Sequence, residues 1–145
     1  MQVAEDGPRY LLRLKEGTDL FGALSDFAVS HSMRAGVVVS GIGMVRHGSI
    51  GYWNGKEYAP RELSVPHELV GLHGSVARVD GAPSIHLHAA LSDDHHHLLG
   101  GHLLRATIGV VGEIYIESFP GRTFGRPMNE SLGLRTLDLE PGPEP

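Results

Sequence analysis

Between His67 and Leu91 the chain holds two runs in which side-chain character alternates residue by residue, separated by Asp80-Gly81. A period of two belongs to a β-strand, whose successive side chains point to opposite faces. Asp-Gly is the composition of a two-residue hairpin turn, because both of its positions need a positive φ. An antiparallel hairpin is therefore expected here. In its first strand, His67 to Val79, the alternation would set Val70, Leu72, Gly74 and Val76 on one face and Leu69, Gly71, His73 and Ser75 on the other.

The second strand reads Ser84-Ile85-His86-Leu87-His88-Ala89-Ala90-Leu91, so His86 and His88 share a face about 6–7 Å apart along the chain. Two neutral imidazoles at that spacing can reach one divalent cation, zinc being well suited to nitrogen donors. A third ligand must come from another segment, and Gly100-Gly101-His102 offers one. Its glycines permit a bend or bulge, or a close approach of one backbone to another. Three protein ligands would leave a position open for water or a substrate. The bland alternative is that these histidines are ordinary hydrogen-bonded members of a sheet. His73, Glu113 or water are candidates for a fourth ligand.

Other chemistry is narrowed by what the chain lacks. With no cysteine among 145 residues, disulfides, thiolate nucleophiles and Cys-based zinc sites are excluded, and any metal rests on His and carboxylates. His67-Glu68 begins a metalloprotease signature, but Gly71 stands where its second His belongs. Gly41-Ile42-Gly43 is followed by Arg46 rather than a third Gly, and no Gly-Lys-Ser/Thr follows, so neither phosphate-loop pattern is met. No Gly-x-Ser-x-Gly elbow occurs. Asp93-Asp94-His95-His96-His97 is rich in potential ligands, yet consecutive loop residues rarely aim at one point, and a solvated turn is expected there.

Twelve Lys and Arg against 17 Asp and Glu give a formal charge of −5, which disfavours an extended phosphate-binding surface for DNA. Gly125-Arg126-Pro127 is similar to the centre of a minor-groove hook but lacks the preceding Arg and the basic flanks. No apolar run approaches the length of a membrane span and no leader-like N-terminus is seen, so the expectation is a cytoplasmic protein without membrane contact.

The remaining pattern is mostly strand. Arg9 to Leu14 reads as one strand, Ala35 to Ser40 as a buried one that continues through a bend, and Gly48 to Trp53 as the next. Asn54-Gly55 marks a hairpin from which Lys56 to Pro60 pairs back. Ile108 to Phe119 is the last long strand, and Leu134 to Leu139 a further edge strand. The stretch Leu20 to His31 alone has apolar residues at helical spacing, behind Thr18 or Asp19 as N-cap. The expected class is α+β: a twisted, mainly antiparallel sheet with one principal helix. Residues 8–139 form a single domain, with 1–7 and 140–145 as loose, flexible termini.

The order of these segments, from Arg9–Leu14 and the helix after Asp19-Leu20 through Val39-Ser40-Gly41-Ile42-Gly43 and Leu69–Ala77 to Ile85–Ser92 and Gly100-Gly101-His102-Leu103, resembles the PPC (plants and prokaryotes conserved) domain over residues 8 to 120. The resemblance implies a homotrimeric α+β protein. In plants such domains follow AT-hooks in nuclear DNA-binding proteins and mediate assembly; no hook precedes the domain here. The architecture is also similar to that of acetolactate decarboxylases, which hold zinc with a close pair of His and a later single one, an arrangement that His86, His88 and His102 match. The additional acid and Arg of those enzymes are not matched. Two functions are thus expected to compete: a trimeric domain binding a divalent metal and a small-molecule ligand, or a DNA-associated or protein-assembly module with structural histidines.

Overall fold

A computed structural model describes residues 1–141. Among them one helix, α1 (Leu20–Ser30), accompanies β1 (Gln2–Asp6), β2 (Arg9–Lys15), β3 (Gly36–Trp53), β4 (Tyr58–Leu63), β5 (His67–Val79), β6 (Ala82–Ser92), β7 (Leu98–Ser118), β8 (Met128–Asn129) and β9 (Leu134–Arg135). The fold is α+β. The main sheet has the order β1-β2-β7-β6-β5-β3-β4, every neighbour antiparallel. β7 also pairs along β3, so β3, β5, β6 and β7 close on themselves.

Closure depends on two long strands. β3 spans 18 residues and β7 spans 21, each long enough to serve different partners along its length. β7 pairs with β6 through Leu98–His102 and with β2 through Val111–Glu117, while β3 lies along its other edge. The bend expected near Gly41-Ile42-Gly43 is absorbed by register shifts within one continuous strand. Likewise Gly100-Gly101-His102 and Ile108–Ser118 belong to the same strand rather than to two.

The core lies inside this curved sheet and under α1. Asp19 caps the helix, its Oδ2 accepting from the Gly22 N–H at 3.0 Å, and Leu20, Leu24, Phe27 and Ala28 are buried. Phe27 meets Tyr10 of β2 edge to face, ring centroids 5.1 Å apart. From the sheet side Leu72, Leu87, Leu91, Leu103 and Ile114 complete the cluster.

Four expectations are corrected. The N-terminus is not loose: Gln2–Asp6 pairs antiparallel with β2, from Gln2 opposite Arg13 to Asp6 opposite Arg9. In β5 the simple alternation fails, because a bulge between Leu69 and Gly71 changes the phase, burying both Leu69 and Leu72 and exposing Val70. The hairpin after Asn54-Gly55 extends to Leu63. Leu134–Arg135 joins Met128–Asn129 in a separate two-stranded ribbon instead of extending the main sheet. The Asp80-Gly81 turn forms as expected, with φ +50° and +76° and Val79 opposite Ala82. The expected tail at 140–145 falls largely outside the described residues. No helix among those described is long and apolar enough to cross a membrane.

Next to the histidines, a Cβ on Gly100 would lie 2.5 Å from the Ala89 carbonyl oxygen, closer than a side chain can come. Gly100→Ala is expected to force β7 away from β6 and to lower stability by about 2 kcal/mol, read as a shifted urea midpoint. An unchanged midpoint would show that the two backbones are not held this closely.

Candidate metal centre

The antiparallel registers bring the candidate ligands together. His88 faces His102 directly across the β6–β7 pair, and His86 stands two residues from His88 on the same face of β6. The intervening Leu87 turns into the core with no exposed surface. One nitrogen of each of His86, His88 and His102 lies within 4.8 Å of the other two. Ring centroids are 5.1 Å apart for His86–His88, 4.9 Å for His86–His102 and 5.4 Å for His88–His102. Nitrogens gathered this closely are candidates to share one ion, which would have to lie about 2.0–2.1 Å from each.

Two of the rings have unsatisfied nitrogens. His86 Nε2 and His102 Nδ1 are buried without a hydrogen-bond partner. A buried polar atom left unpaired costs about 1–3 kcal/mol, a cost that a bound cation would remove. Burial, then Arg126, then His102 and His88, push the His86 pKa down from 6.5 to about 4. His102 is also lowered, first by burial, then by His88 and Arg126. Neutral imidazole is the form that carries a free lone pair for a metal.

The other candidates stay outside. His73 is opposite His88 in register, but its Nδ1 lies 2.9 Å from the Val39 carbonyl oxygen and it does not join the cluster. Glu113 is exposed much farther along β7, opposite Arg13 of β2 and Ile42 of β3. The 93–97 segment is a solvated turn, in which Asp93 Oδ1 accepts from the His95 and His97 N–H groups at 2.9 Å.

Two neighbours of the cluster had no signal in the sequence. Tyr58, delivered by the β3–β4 hairpin, stacks on His102 with centroids 4.2 Å apart and planes 17° from parallel. Arg126 is 8 % exposed, its Nη2 donating to Ser75 Oγ at 2.7 Å and its Nη1 facing His86 Nδ1 at 3.1 Å. The Gly125-Arg126-Pro127 segment is thus no DNA hook. Backbone bonds from Gly125 to Asp138 and from Arg78 to Phe124 pin it over the end of β5. Since a guanidinium only donates, the Arg126 contact requires His86 Nδ1 to accept. Metal ligands more often donate that second nitrogen to a carbonyl or carboxylate. A metal on His86 Nε2 and Arg126 on Nδ1 would therefore compete for the tautomer of one ring.

Residues 1–120 match the Plants and Prokaryotes Conserved (PCC) domain, the domain abbreviated PPC above. The chain belongs to this family. Among solved structures, the PCC chain is similar to a metal-containing protein from Archaeoglobus fulgidus, at 34% identity over 91% of this chain and 94% of that one, with a TM-score of 0.83. A protein from Bacteroides thetaiotaomicron, described as a candidate for DNA binding, is 24% identical over 95% and 96% of the two chains, with a TM-score of 0.88. At that identity the likeness is one of fold. The same holds for a Staphylococcus aureus protein described as similar to alpha-acetolactate decarboxylase, 14% identical over 83% of this chain and 54% of that one, TM-score 0.50. The PCC chain is also 29% identical over 133 residues to the bifunctional protein GlmU of a Synechococcus species. That match takes in 91% of this chain and spans a fifth (20%) of the length of that curated relative.

The His86 environment has a consequence for stability. In the unfolded PCC chain His86 takes up its proton near pH 6.5, in the folded one only near 4. Between those values the unfolded state binds more protons, so this contribution is intact above 6.5 and is lost as the pH falls toward 4. For the metal-free protein the loss is expected to be on the order of 2 kcal/mol, measured by urea unfolding at pH 7 and pH 4. The His86→Asn variant should show a flatter dependence by that amount. Equal slopes would mean that His86 titrates as freely as in water.

Proposed function

We propose that this PCC domain binds a divalent metal, zinc being the best suited, through His86, His88 and His102, with the remaining position open to water or a small-molecule ligand. The observation that carries this reading is the convergence of three imidazole nitrogens within 4.8 Å, two of the rings having a buried nitrogen without any partner. No protein group among the described residues supplies either nitrogen with a hydrogen bond. The metal-containing description of the Archaeoglobus relative supports it. Three His donors and an open position form a set that catalytic zinc sites use. A bound ion there would supply a Lewis acid for a carbonyl or would acidify a water. Tyr58 stacks on His102, and Arg126, braced by Ser75, faces His86 Nδ1, a contact that a metal on Nε2 would displace.

The competing reading is a DNA-associated or protein-assembly module with structural histidines. The description of the Bacteroides protein supports it, and the net charge of −5 weighs against its DNA version. It predicts retention on duplex DNA at low salt with a steep salt dependence. Elemental analysis of untagged protein separates the two. About one metal per chain is expected, falling about tenfold or more in His86→Ala and His102→Ala variants whose circular dichroism is unchanged. Metal-free, folded wild-type protein, or variants that keep their metal, would refute the ligand assignment.

We also propose that the domain assembles as a homotrimer, as the family resemblance implies. Leu11, Ile42, Val70 and Val110 are 50, 51, 51 and 65 % exposed on β2, β3, β5 and β7, apolar surface that assembly would cover. Light scattering should give three times the 15.6 kDa chain mass; a monomer would refute it.

A further inference from the structure

Beside the histidine cluster lies a cavity of about 200 Å³. His86 and His102 form part of its wall, and Arg126 and Arg135 another part. Tyr58, Ile85 and Leu134 supply the apolar remainder.

Among the described residues Arg126 has no counter-ion. The ion pairs among the described residues are Arg9–Asp6, Arg46–Glu16, Arg105–Glu62 and two His–Asp contacts in the 93–97 turn; none includes Arg126 or Arg135. Of the Arg126 guanidinium, Nη1 and Nη2 meet neutral partners, and Nε is buried with no partner. Arg135 lies close by, its Nη1 donating to the Arg126 carbonyl at 3.0 Å. A buried cation that lacks a carboxylate is costly, and a divalent ion at the neighbouring histidines would add two more positive charges. Among the described residues no acidic side chain lines the cavity. An anionic ligand would supply the missing negative charge.

We propose that this cavity binds a small organic carboxylate, its carboxylate held by Arg126 and Arg135 and its apolar part set against Tyr58, Ile85 and Leu134, next to the His86/His88/His102 ion. The position of the ion rests on the metal reading above; the arginines and the cavity do not. The guanidinium fork matches a carboxylate in geometry, with two parallel N–H donors. The apolar wall favours a ligand with a hydrocarbon part over inorganic phosphate, which would leave that wall facing a hydrated anion. The small volume restricts the ligand to a short-chain acid.

The test is calorimetric titration of the full-length, zinc-loaded protein with propionate, with propionamide as the neutral isostere and inorganic phosphate as the competing anion. Metal per chain is measured on the same samples. Propionate is expected to saturate one site per chain and propionamide to give no binding. Arg135→Ala, a change at an exposed side chain, should weaken propionate by about tenfold with metal content unchanged, and Arg126→Lys, which keeps the charge but loses the fork, should weaken it by a similar factor. Absence of saturable propionate binding, equal affinity in Arg135→Ala, or tighter binding of phosphate than of propionate would overturn the proposal. The metal reading fails separately: wild-type protein that takes up no zinc yet binds propionate through Arg126 and Arg135 upholds the carboxylate pocket and refutes the metal centre.

Discussion

The site depends on the register between β6 and β7. His88 faces His102 because Ala89 and Ala90 pair with Gly101 and Gly100, at an approach so close that a side chain on Gly100 would strike the Ala89 carbonyl. A slip of one residue would turn His102 toward the core and Leu103 out to solvent, reversing the whole pattern of that strand. Leu87, Leu91 and Leu103, fully or almost fully buried on the opposite face, resist such a slip. The same apolar packing that stabilises the curved sheet thus holds three imidazoles at one point on its other side.

Charge is the second organising factor. Among the described residues the cavity beside the histidines is lined by cations and neutral side chains without an acid: burial and the nearness of Arg126 lower the pKa of His86 and of His102, and Arg126 is itself buried against Ser75 and His86. Such an arrangement costs folding free energy in the absence of an anion. Polar groups placed at a net cost to the fold are what a binding site requires, and this cluster has the unpaired nitrogens, the unpaired guanidinium and the adjoining cavity together.

Much of this was legible from residues alone where the cause is local. Asp80-Gly81 requires two positive φ values and formed the turn; Asp19 capped the one helix among the described residues; the alternation in β6 separated His86 and His88 from Leu87. Legibility failed where a distant partner decides. Gln2–Asp6 is exposed at every position and is a strand because the edge of β2 is available to it. The phase of β5 changes at a bulge that the sequence does not mark, so Val70 and Leu69 exchange their expected sides. From its neighbours Arg126 reads only as part of an incomplete hook with no other role, because its local context holds no sign of Ser75 and His86, 51 and 40 residues earlier.

The sequence by itself determined the α+β class, the hairpins and the three histidine positions, because turn chemistry, capping and side-chain period act over a few neighbouring residues. Only the tertiary structure decided that β3 and β7 are single long strands closing the sheet, that His73 and Glu113 stand apart from the cluster, and that Tyr58 and Arg126 flank it. Those outcomes follow from register and from the docking of the segment after β7, both set by packing between residues far apart in the chain.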